Sequence, residues 1–139
     1  THLWLRGRQY VEKPEGAHQA VAHRDYLDQG IHFGLGTDNK PYSPFPTIWA
    51  AVERQERMTN EVLGPSQILT RIEALKAITL GGAYFSFEED RRGSLETGKL
   101  ADLAVLSDDY LTVPANDIPA LHSVMTIVGG QEVYSTGAL

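Results

Sequence analysis

The sequence GSLETGKLADLAVL, residues 93–106, sets the interpretation of the second half of the chain. Its two glycines and its lysine have the G-x-x-x-x-G-K spacing of a phosphate-binding loop. Such a loop continues with Ser or Thr, whose hydroxyl binds magnesium, and it joins a preceding strand to a following helix. Here the next residue is Leu100, and the apolar β-type run Leu103–Leu106 follows the glycines. The stretch therefore predicts a turn that leads into a strand, which disfavours a phosphate- or nucleotide-binding domain.

The chain beyond Asp90 consists of glycine-containing turns and short β-type runs. Gly129 and Gly130 separate the last two of these runs, and glycine supplies the positive φ that a tight hairpin turn needs. The sequence predicts an all-β part with strands at residues 102–106, 122–128 and 131–135.

The chain before about residue 87 carries helical patterns on either side of one β-type run. Apolar residues at helical spacing predict a helix over residues 15–29 and another over residues 46–60, in which Pro46 occupies the first turn. A third helix is predicted after Thr70, because Thr70 and Glu73 have the spacing of a capping box.

The run between the first two predicted helices alternates with a period of two. This pattern predicts a strand over residues 31–38 whose two faces differ. Glycines on one face indicate that a large group approaches the backbone there. One face carries Ile31, Phe33 and Leu35, and the other carries His32, Gly34, Gly36 and Asp38.

Asp38 is the best single candidate for a functional residue. It ends the predicted strand and precedes a proline-rich loop. Functional groups collect at the C-terminal ends of strands in α/β barrels and open parallel sheets. The alternative is that Asp38, together with Asn39, only starts a turn, which is a common role for aspartate.

The five histidines do not have the spacing of a metal site. None shows H-x-H or H-x-x-x-H spacing. We expect His18, His23 and His122 to be exposed or to make structural hydrogen bonds, and we leave His32 open. His32 lies six residues before Asp38, roughly 20 Å along an extended strand, so these two residues would not bind the same ion.

The composition excludes several classes of protein. The 139 residues contain 18 acidic and 12 basic side chains, a net charge of −6, which disfavours nucleic-acid and anionic-membrane binding. No cysteine is present, so disulfides and thiolate metal ligands are excluded, as suits a cytoplasmic protein. The chain starts without Met or a signal-peptide pattern, so we expect it to be processed, truncated or cut from a longer protein.

Several segments, in order, resemble the metal-dependent amidohydrolase superfamily. Gly34–Asp38, a proline-rich loop and Ala50–Arg54 resemble its eighth barrel strand and the helix after it. Glu73–Ala83 and then Gly93–Leu106 resemble its return from the barrel to a small β domain, and Val124–Tyr134 resembles its final hairpin. The branch that this set resembles most is amidohydrolase family 3, the imidazolonepropionase-like and N-acyl-amino-acid-deacylase-like hydrolases.

The resemblance implies an α/β fold that holds the last strands and helices of a TIM-type barrel, followed by part of a small β-sandwich domain. Residues 1–87 would be the C-terminal part of the (β/α)8 barrel. Residues 88–139 would be the C-terminal half of the flanking β-sandwich domain.

The resemblance also implies an activity, the hydrolysis of amide or cyclic-amide C–N bonds in a small-molecule substrate by metal-activated water. Asp38 matches the strand-eight aspartate, which would be a metal ligand and the general base. The implied cofactor is a divalent metal, zinc by preference, and His2 would lie in a substrate loop.

The other ligands of that family are not in this sequence. They are an H-x-H pair on strand one, a bridging Lys or Glu, and histidines on strands five and six. We therefore expect the chain alone to be an incomplete, inactive part, acting with a complementing N-terminal part or as a homo-oligomer. The alternative is a stand-alone, non-catalytic α/β module derived from the same family, which self-associates through unpaired strand edges.

Overall fold

The computed structural model describes residues 2–13, 16, 20–38 and 42–137. Within these ranges the chain is a mixed α/β protein, as predicted, with two short 3-10 segments at Pro65–Gln67 and Ala115–Ala120. None of the described helices is long and apolar enough to cross a membrane. The helices are α1 (His2–Arg6), α2 (Arg8–Val11), α3 (His23–Asp28), α4 (Phe45–Glu53) and α5 (Arg71–Phe85), and the strands are β1 (Leu103–Leu106), β2 (Ser123–Val128) and β3 (Gln131–Ser135).

The first predicted helix, residues 15–29, is wrong in length. Only α3 forms within its described part, because Val21 has a positive φ of 54°, which a right-handed helix does not contain. Residues 15 and 17–19 of that prediction lie outside the described residues.

The second predicted helix begins as expected and ends early. Pro46 lies in the first turn of α4, where its missing N–H removes no helical hydrogen bond. The helix ends before Arg54, which has left-handed backbone angles (φ 50°, ψ 29°), and not near Asn60. The chain then turns back on itself, so that Gln55 pairs with Val62 in an antiparallel bridge.

The third predicted helix, α5, starts with the capping box that the sequence indicates. The Glu73 amide donates to Thr70 Oγ1 (3.3 Å), and the Thr70 amide donates to Glu73 Oε2 (2.8 Å). These bonds satisfy two of the amides that every helix start leaves without a helical partner.

Residues 31–37 do not form the predicted strand. A strand needs a neighbouring strand that forms hydrogen bonds with its backbone N–H and C=O groups. In the part of the chain that the structure describes, no other strand pairs with this segment. The Leu35 amide donates instead to the carbonyl of Ala77 in α5 (3.1 Å). The close approach predicted at the glycines is confirmed at Gly34, where a Cβ would lie 3.3 Å from the backbone carbonyl carbon of Gly81 in α5, but not at Gly36, where a Cβ would meet nothing within 4 Å.

The predicted β part is confirmed as a sheet, with strand order β1-β2-β3 among the described residues and antiparallel pairing throughout. Leu103 lies opposite Ile127. Gly129 and Gly130 have φ of 58° and 80° and form the two-residue turn between β2 and β3. Two consecutive positive φ angles match the twist of a hairpin, which is why glycine occurs at both positions.

Residues 93–102 form the turn that leads into β1, and neighbouring residues hold the lysine of the false phosphate-binding motif. Lys99 Nζ donates to the Glu89 carbonyl (2.6 Å) and to Ser94 Oγ (2.7 Å), and it lies 3.0 Å from a Glu96 carboxylate oxygen. The lysine therefore fixes the turn, which supports the structural interpretation of the stretch.

One hydrophobic core joins residues from both sides of residue 87. Arg71 reinforces this contact, because its guanidinium donates to the Tyr110 and Val113 carbonyls (2.6 Å each) and the Tyr110 hydroxyl donates to the Arg71 carbonyl (2.9 Å). The buried members of this core are Phe45, Ile48, Ala51, Leu69, Ala74, Tyr110, Val113, Ile118 and Leu121.

Candidate functional site

Asp38 lies where the segment 31–37 ends, and its side chain is exposed. Its backbone is left-handed, with φ of 57°, a conformation that aspartate tolerates better than most residues. The Thr37 hydroxyl donates to the backbone carbonyl oxygen of Asp38 (3.4 Å). This bond therefore does not involve the Asp38 carboxylate. Among the described residues no hydrogen bond or ion pair engages the Asp38 carboxylate.

Asp38 is not part of a metal site within the described ranges. No group of three or more His, Cys, Asp or Glu side chains there is arranged to hold a metal ion. His32, which the sequence left open, stacks on Tyr84 with ring centroids 4.3 Å apart. Zinc sites in proteins use three or four protein ligands, and the described residues contain no such set.

His2, the candidate substrate-binding residue, is the first residue of α1. Its side chain lies outside what the structure describes. His18 also lies outside the described residues, so the expectations for both side chains stay predictions.

A cavity of about 180 Å³ lies beside residues 34–36. Gly36 is two residues before Asp38, roughly 7 Å along an extended backbone. Helix α4 contributes Ala50 and Ala51 to the wall, and His23 at the start of α3 also lines it.

His23 was expected to be exposed or hydrogen-bonded, and this expectation is wrong. Only 8% of the residue is exposed, and its ring stacks on Phe33 with a centroid distance of 5.2 Å and an interplanar angle of 8°. Its Nδ1 has no hydrogen-bond partner within the described structure. Burial, together with the smaller effect of the nearby Arg54 cation, lowers the pKa of His23 from 6.5 to about 4. The imidazole is therefore neutral at pH 7.

His122 behaves as expected. It is exposed, and its Nδ1 lies 3.2 Å from the Ala120 carbonyl oxygen. Of these two histidines, only His23 departs from what the sequence predicted.

Arg54 positions the wall of the cavity that contains His23. It is fully buried, and its guanidinium donates to the carbonyls of Leu63 (2.6 Å), Ala20 (2.8 Å) and Val21 (3.0 Å). Burial lowers its pKa to about 10, so it is still a cation at pH 7. These bonds hold the chain just before α3 against the end of α4. The sequence gives no signal for this role, because an arginine after a helix is ordinarily exposed.

Helix α3 is also tied to the start of α5. Arg24 donates to both Glu73 carboxylate oxygens (2.8 and 2.6 Å), and its amide donates to the Gln67 side chain (2.9 Å). The Arg24 hydrogen bonds lower the pKa of Glu73 to about 2. The paired charges thus fix the element that carries His23.

We expect the burial of His23 to make folding pH-dependent. Its pKa is about 4 in the folded chain against 6.5 as the ordinary value. Between these values the unfolded chain binds a proton that the folded chain does not, so stability falls as the pH is lowered from 6.5 towards 4. The loss is roughly 3 kcal/mol. Urea unfolding of His23→Phe, which retains a ring for the Phe33 stack, should lack this slope.

The matched variant for that measurement is His122→Phe, since His122 is exposed. It should retain the dependence of the free energy of unfolding on pH between 6.5 and 4. An unchanged slope in His23→Phe would contradict the assignment of this dependence to His23.

The comparisons with known proteins assign the chain to a family. A sequence model described as the amidohydrolase family matches residues 4–134. The chain belongs to amidohydrolase family 3. No solved structure matches it. The family membership that the segment order implied is therefore confirmed.

Curated relatives agree with this membership. The chain is 35% identical over 109 residues to an N-substituted formamide deformylase of Arthrobacter pascens, covering 77% of this chain and 20% of that protein. It is 32% identical over 121 residues to the putative amidohydrolase YtcJ of Bacillus subtilis, covering 83% and 22%. It is 38% identical over 86 residues to an imidazolonepropionase of Micrococcus luteus, covering 60% and 19%. The chain thus spans about a fifth of the length of these relatives.

Proposed function

We propose that this chain is the C-terminal part of a metal-dependent hydrolase that cleaves C–N bonds in small amides or cyclic amides. Membership of the amidohydrolase family supports the reaction class. The name of the Arthrobacter relative, an N-substituted formamide deformylase, supports an amide substrate. The observation that carries the proposal is the exposed Asp38 carboxylate at the end of the segment 31–37, which has no hydrogen-bond or ion-pair partner among the described residues.

Asp38 is the residue of this chain that acts on the reacting atoms in this proposal. An exposed carboxylate without a partner can accept the proton of the attacking water and pass it to the leaving nitrogen as the C–N bond breaks. Such a transfer requires that no other group of the protein occupies the carboxylate oxygens. This condition supports Asp38 over Glu73, whose oxygens are bound by Arg24.

The proposed cofactor is a divalent cation, with zinc as the expected ion. A bound divalent cation lowers the pKa of water towards about 7 and polarises the substrate carbonyl. Asp38 would supply one ligand, and the remaining ligands would come from outside the described residues, since these contain no cluster of three ligating side chains.

We propose the fold of the parent protein from the same family membership. Residues 1–87 would complete a (β/α)8 barrel, in which the segment 31–37 would pair with neighbouring strands. Residues 88–139 would complete a β-sandwich domain, and the three-stranded sheet, whose strand β3 is exposed along its whole length, supports this assignment.

The second candidate is a non-catalytic module that associates with itself. One observation favours it, namely the hydrophobic core that residues on both sides of residue 87 share. In this case the chain would be a folded unit without chemistry of its own.

For the isolated chain we expect weak zinc binding and no appreciable amidase activity. A single carboxylate is a poor zinc site, because stable sites use three or four protein ligands. Isothermal titration of the 139-residue chain with Zn²⁺ measures the affinity and the number of zinc sites. One tight site per chain would contradict the expectation.

The experiment that tests the proposed function uses the longer protein that carries this sequence. We expect it to hydrolyse an N-substituted formamide, to lose turnover on dialysis against a chelator, and to regain it when Zn²⁺ is returned. Urea unfolding of the dialysed protein is the control that separates loss of the ion from loss of the fold. Full turnover in the dialysed protein would contradict metal dependence, and absence of hydrolysis in the metal-loaded protein would favour the non-catalytic module.

A further inference from the structure

Helix α5 supports the segment 31–37 along one of its faces. The His32 ring stacks on the Tyr84 ring, with centroids 4.3 Å apart. Further along the segment, the Leu35 amide donates to the Ala77 carbonyl oxygen (3.1 Å). Tyr84 and Ala77 are seven positions apart, which is about two turns of a helix, so they lie on the same face. The segment therefore runs along this face in the direction opposite to α5.

Two glycines bring the helix and the segment together between these contacts. A Cβ built on Gly81 would lie 2.5 Å from the Phe33 carbonyl oxygen and 3.0 Å from the Gly34 Cα. Both are backbone atoms, so neither can move aside as the end of a flexible side chain can. A side chain at position 81 therefore requires the segment or the helix to shift. Glycine is the residue that allows two backbones to approach this closely.

Gly82, the next residue of α5, has no such contact. A Cβ built on Gly82 would meet nothing within 4 Å. Alanine stabilises the interior of a helix relative to glycine, so helix formation does not account for glycine at either position. The close approach of the segment accounts for glycine at position 81 and does not apply at position 82.

The start of α5 is fixed against other parts of the core. The Arg71 guanidinium donates to the Tyr110 and Val113 carbonyls (2.6 Å each). Ala74, also near the start of the helix, is fully buried. The helix therefore has little freedom to move away, and a methyl group on residue 81 would displace the segment more than it displaces the helix.

We propose that Gly81 is a positioning residue for the general base Asp38. Without a side chain at position 81, α5 holds the segment where its end brings the Asp38 carboxylate to the reacting atoms. Gly81 acts through the backbone of the segment and does not touch the substrate. This role rests on the proposed function, because only a catalytic Asp38 makes the position of the segment matter for turnover. A misplacement of about 1 Å can lower the rate of an enzyme by about 10²-fold.

The first test measures turnover of an N-substituted formamide by the longer protein that carries this chain. Gly81→Ala should lower kcat by about 10- to 100-fold and leave KM unchanged, because the base is displaced while the substrate still binds. Gly82→Ala is the matched control, since it is the same substitution at the next position of the same helix, and it should retain full kcat. Equal kcat in the two variants would overturn the proposal.

A double substitution separates positioning of Asp38 from a general effect on the fold. In the Asp38→Asn protein, Gly81→Ala should lower kcat no further, because the base that Gly81 positions is already absent. A further loss as large as the one in the unaltered protein would overturn the positioning role. Gly34→Ala places a methyl group 3.3 Å from the Gly81 carbonyl carbon, so it should lower kcat in the same direction by a smaller factor. It replaces Gly81→Ala in these measurements if that variant does not fold.

Hydrogen exchange at the Leu35 amide tests the contact without turnover. This amide bonds to the Ala77 carbonyl oxygen, so it should exchange faster in Gly81→Ala than in Gly82→Ala, measured by mass spectrometry on the same longer protein. Equal exchange in the two variants would overturn the contact. Absence of hydrolysis by the unaltered protein, with exchange still faster in Gly81→Ala, would instead contradict the proposed function, and with it the catalytic role of the contact.

Discussion

Asp38→Asn should lower kcat of the protein that carries this chain by about 10²- to 10⁴-fold, the usual contribution of a general base. The amide has the shape of the carboxylate, but it does not accept a proton at neutral pH. Asparagine tolerates left-handed backbone angles such as the φ of 57° at this position, so the fold should be intact. The measurement is the turnover of an N-substituted formamide, with urea unfolding to check the fold.

Asp90→Asn is the matched control for this prediction. Asp90 is also an exposed aspartate, and it lies in a turn more than fifty positions along the chain. It should retain full turnover. Near-normal kcat in Asp38→Asn would remove Asp38 from the mechanism, and an equal loss in both variants would point to an effect of net charge.

Arg54→Met should destabilise the chain by about 3 kcal/mol or more. The substitution removes a buried cation and leaves the carbonyls of Ala20, Val21 and Leu63 without the donors that they now have. A hydrogen bond to a charged group contributes about 1.5–3 kcal/mol, and a buried acceptor without a partner costs about 1–3 kcal/mol. The free energy of unfolding in urea measures the loss.

Arg57→Met is the control for that experiment, because Arg57 is exposed and lies only three residues further along. It should change the free energy of unfolding by less than about 0.5 kcal/mol. Since Arg54 also holds the chain just before α3, Arg54→Met should reduce the burial of His23 and raise its pKa towards 6.5. Unchanged stability in Arg54→Met would contradict the anchoring role of this guanidinium.

Features set by neighbours in the sequence were predictable. The capping box of Thr70 and Glu73 forms because both partners lie within one helical turn. The hairpin at Gly129 and Gly130 forms because two consecutive residues must have positive φ. In both cases the interacting groups are close along the chain, so their spacing alone specifies the contact.

Features set by distant parts of the chain were not predictable. The period-two pattern of residues 31–38 describes two different faces correctly, but strand formation depends on a neighbouring strand. Without one among the described residues, the Leu35 amide bonds to a carbonyl of α5. Helix α4 carried an amphipathic pattern towards residue 60, yet it ends at Glu53, where Arg54 turns inward to reach Ala20 and Val21.

Some features of the candidate site were also predictable from the sequence, whereas others depend on tertiary packing. The position of Asp38 at the end of a segment was evident from the sequence, and the order of several segments identified the family. The burial of His23 and the cavity that it lines arise from the packing of α3, the segment 34–36 and α4. No spacing of histidines along the chain could have indicated this, because the contacts join residues that are far apart in sequence.

The sequence by itself determined the family, the helix start at Thr70, the small sheet and the structural nature of residues 93–106. These depend on local backbone preferences and on the order of segments. Only the tertiary structure decided where α4 ends and which polar groups are buried. Arg54 and His23 have their roles because burial and contacts with residues elsewhere in the chain determine the charge state and contacts of a polar group, whereas its residue type alone does not.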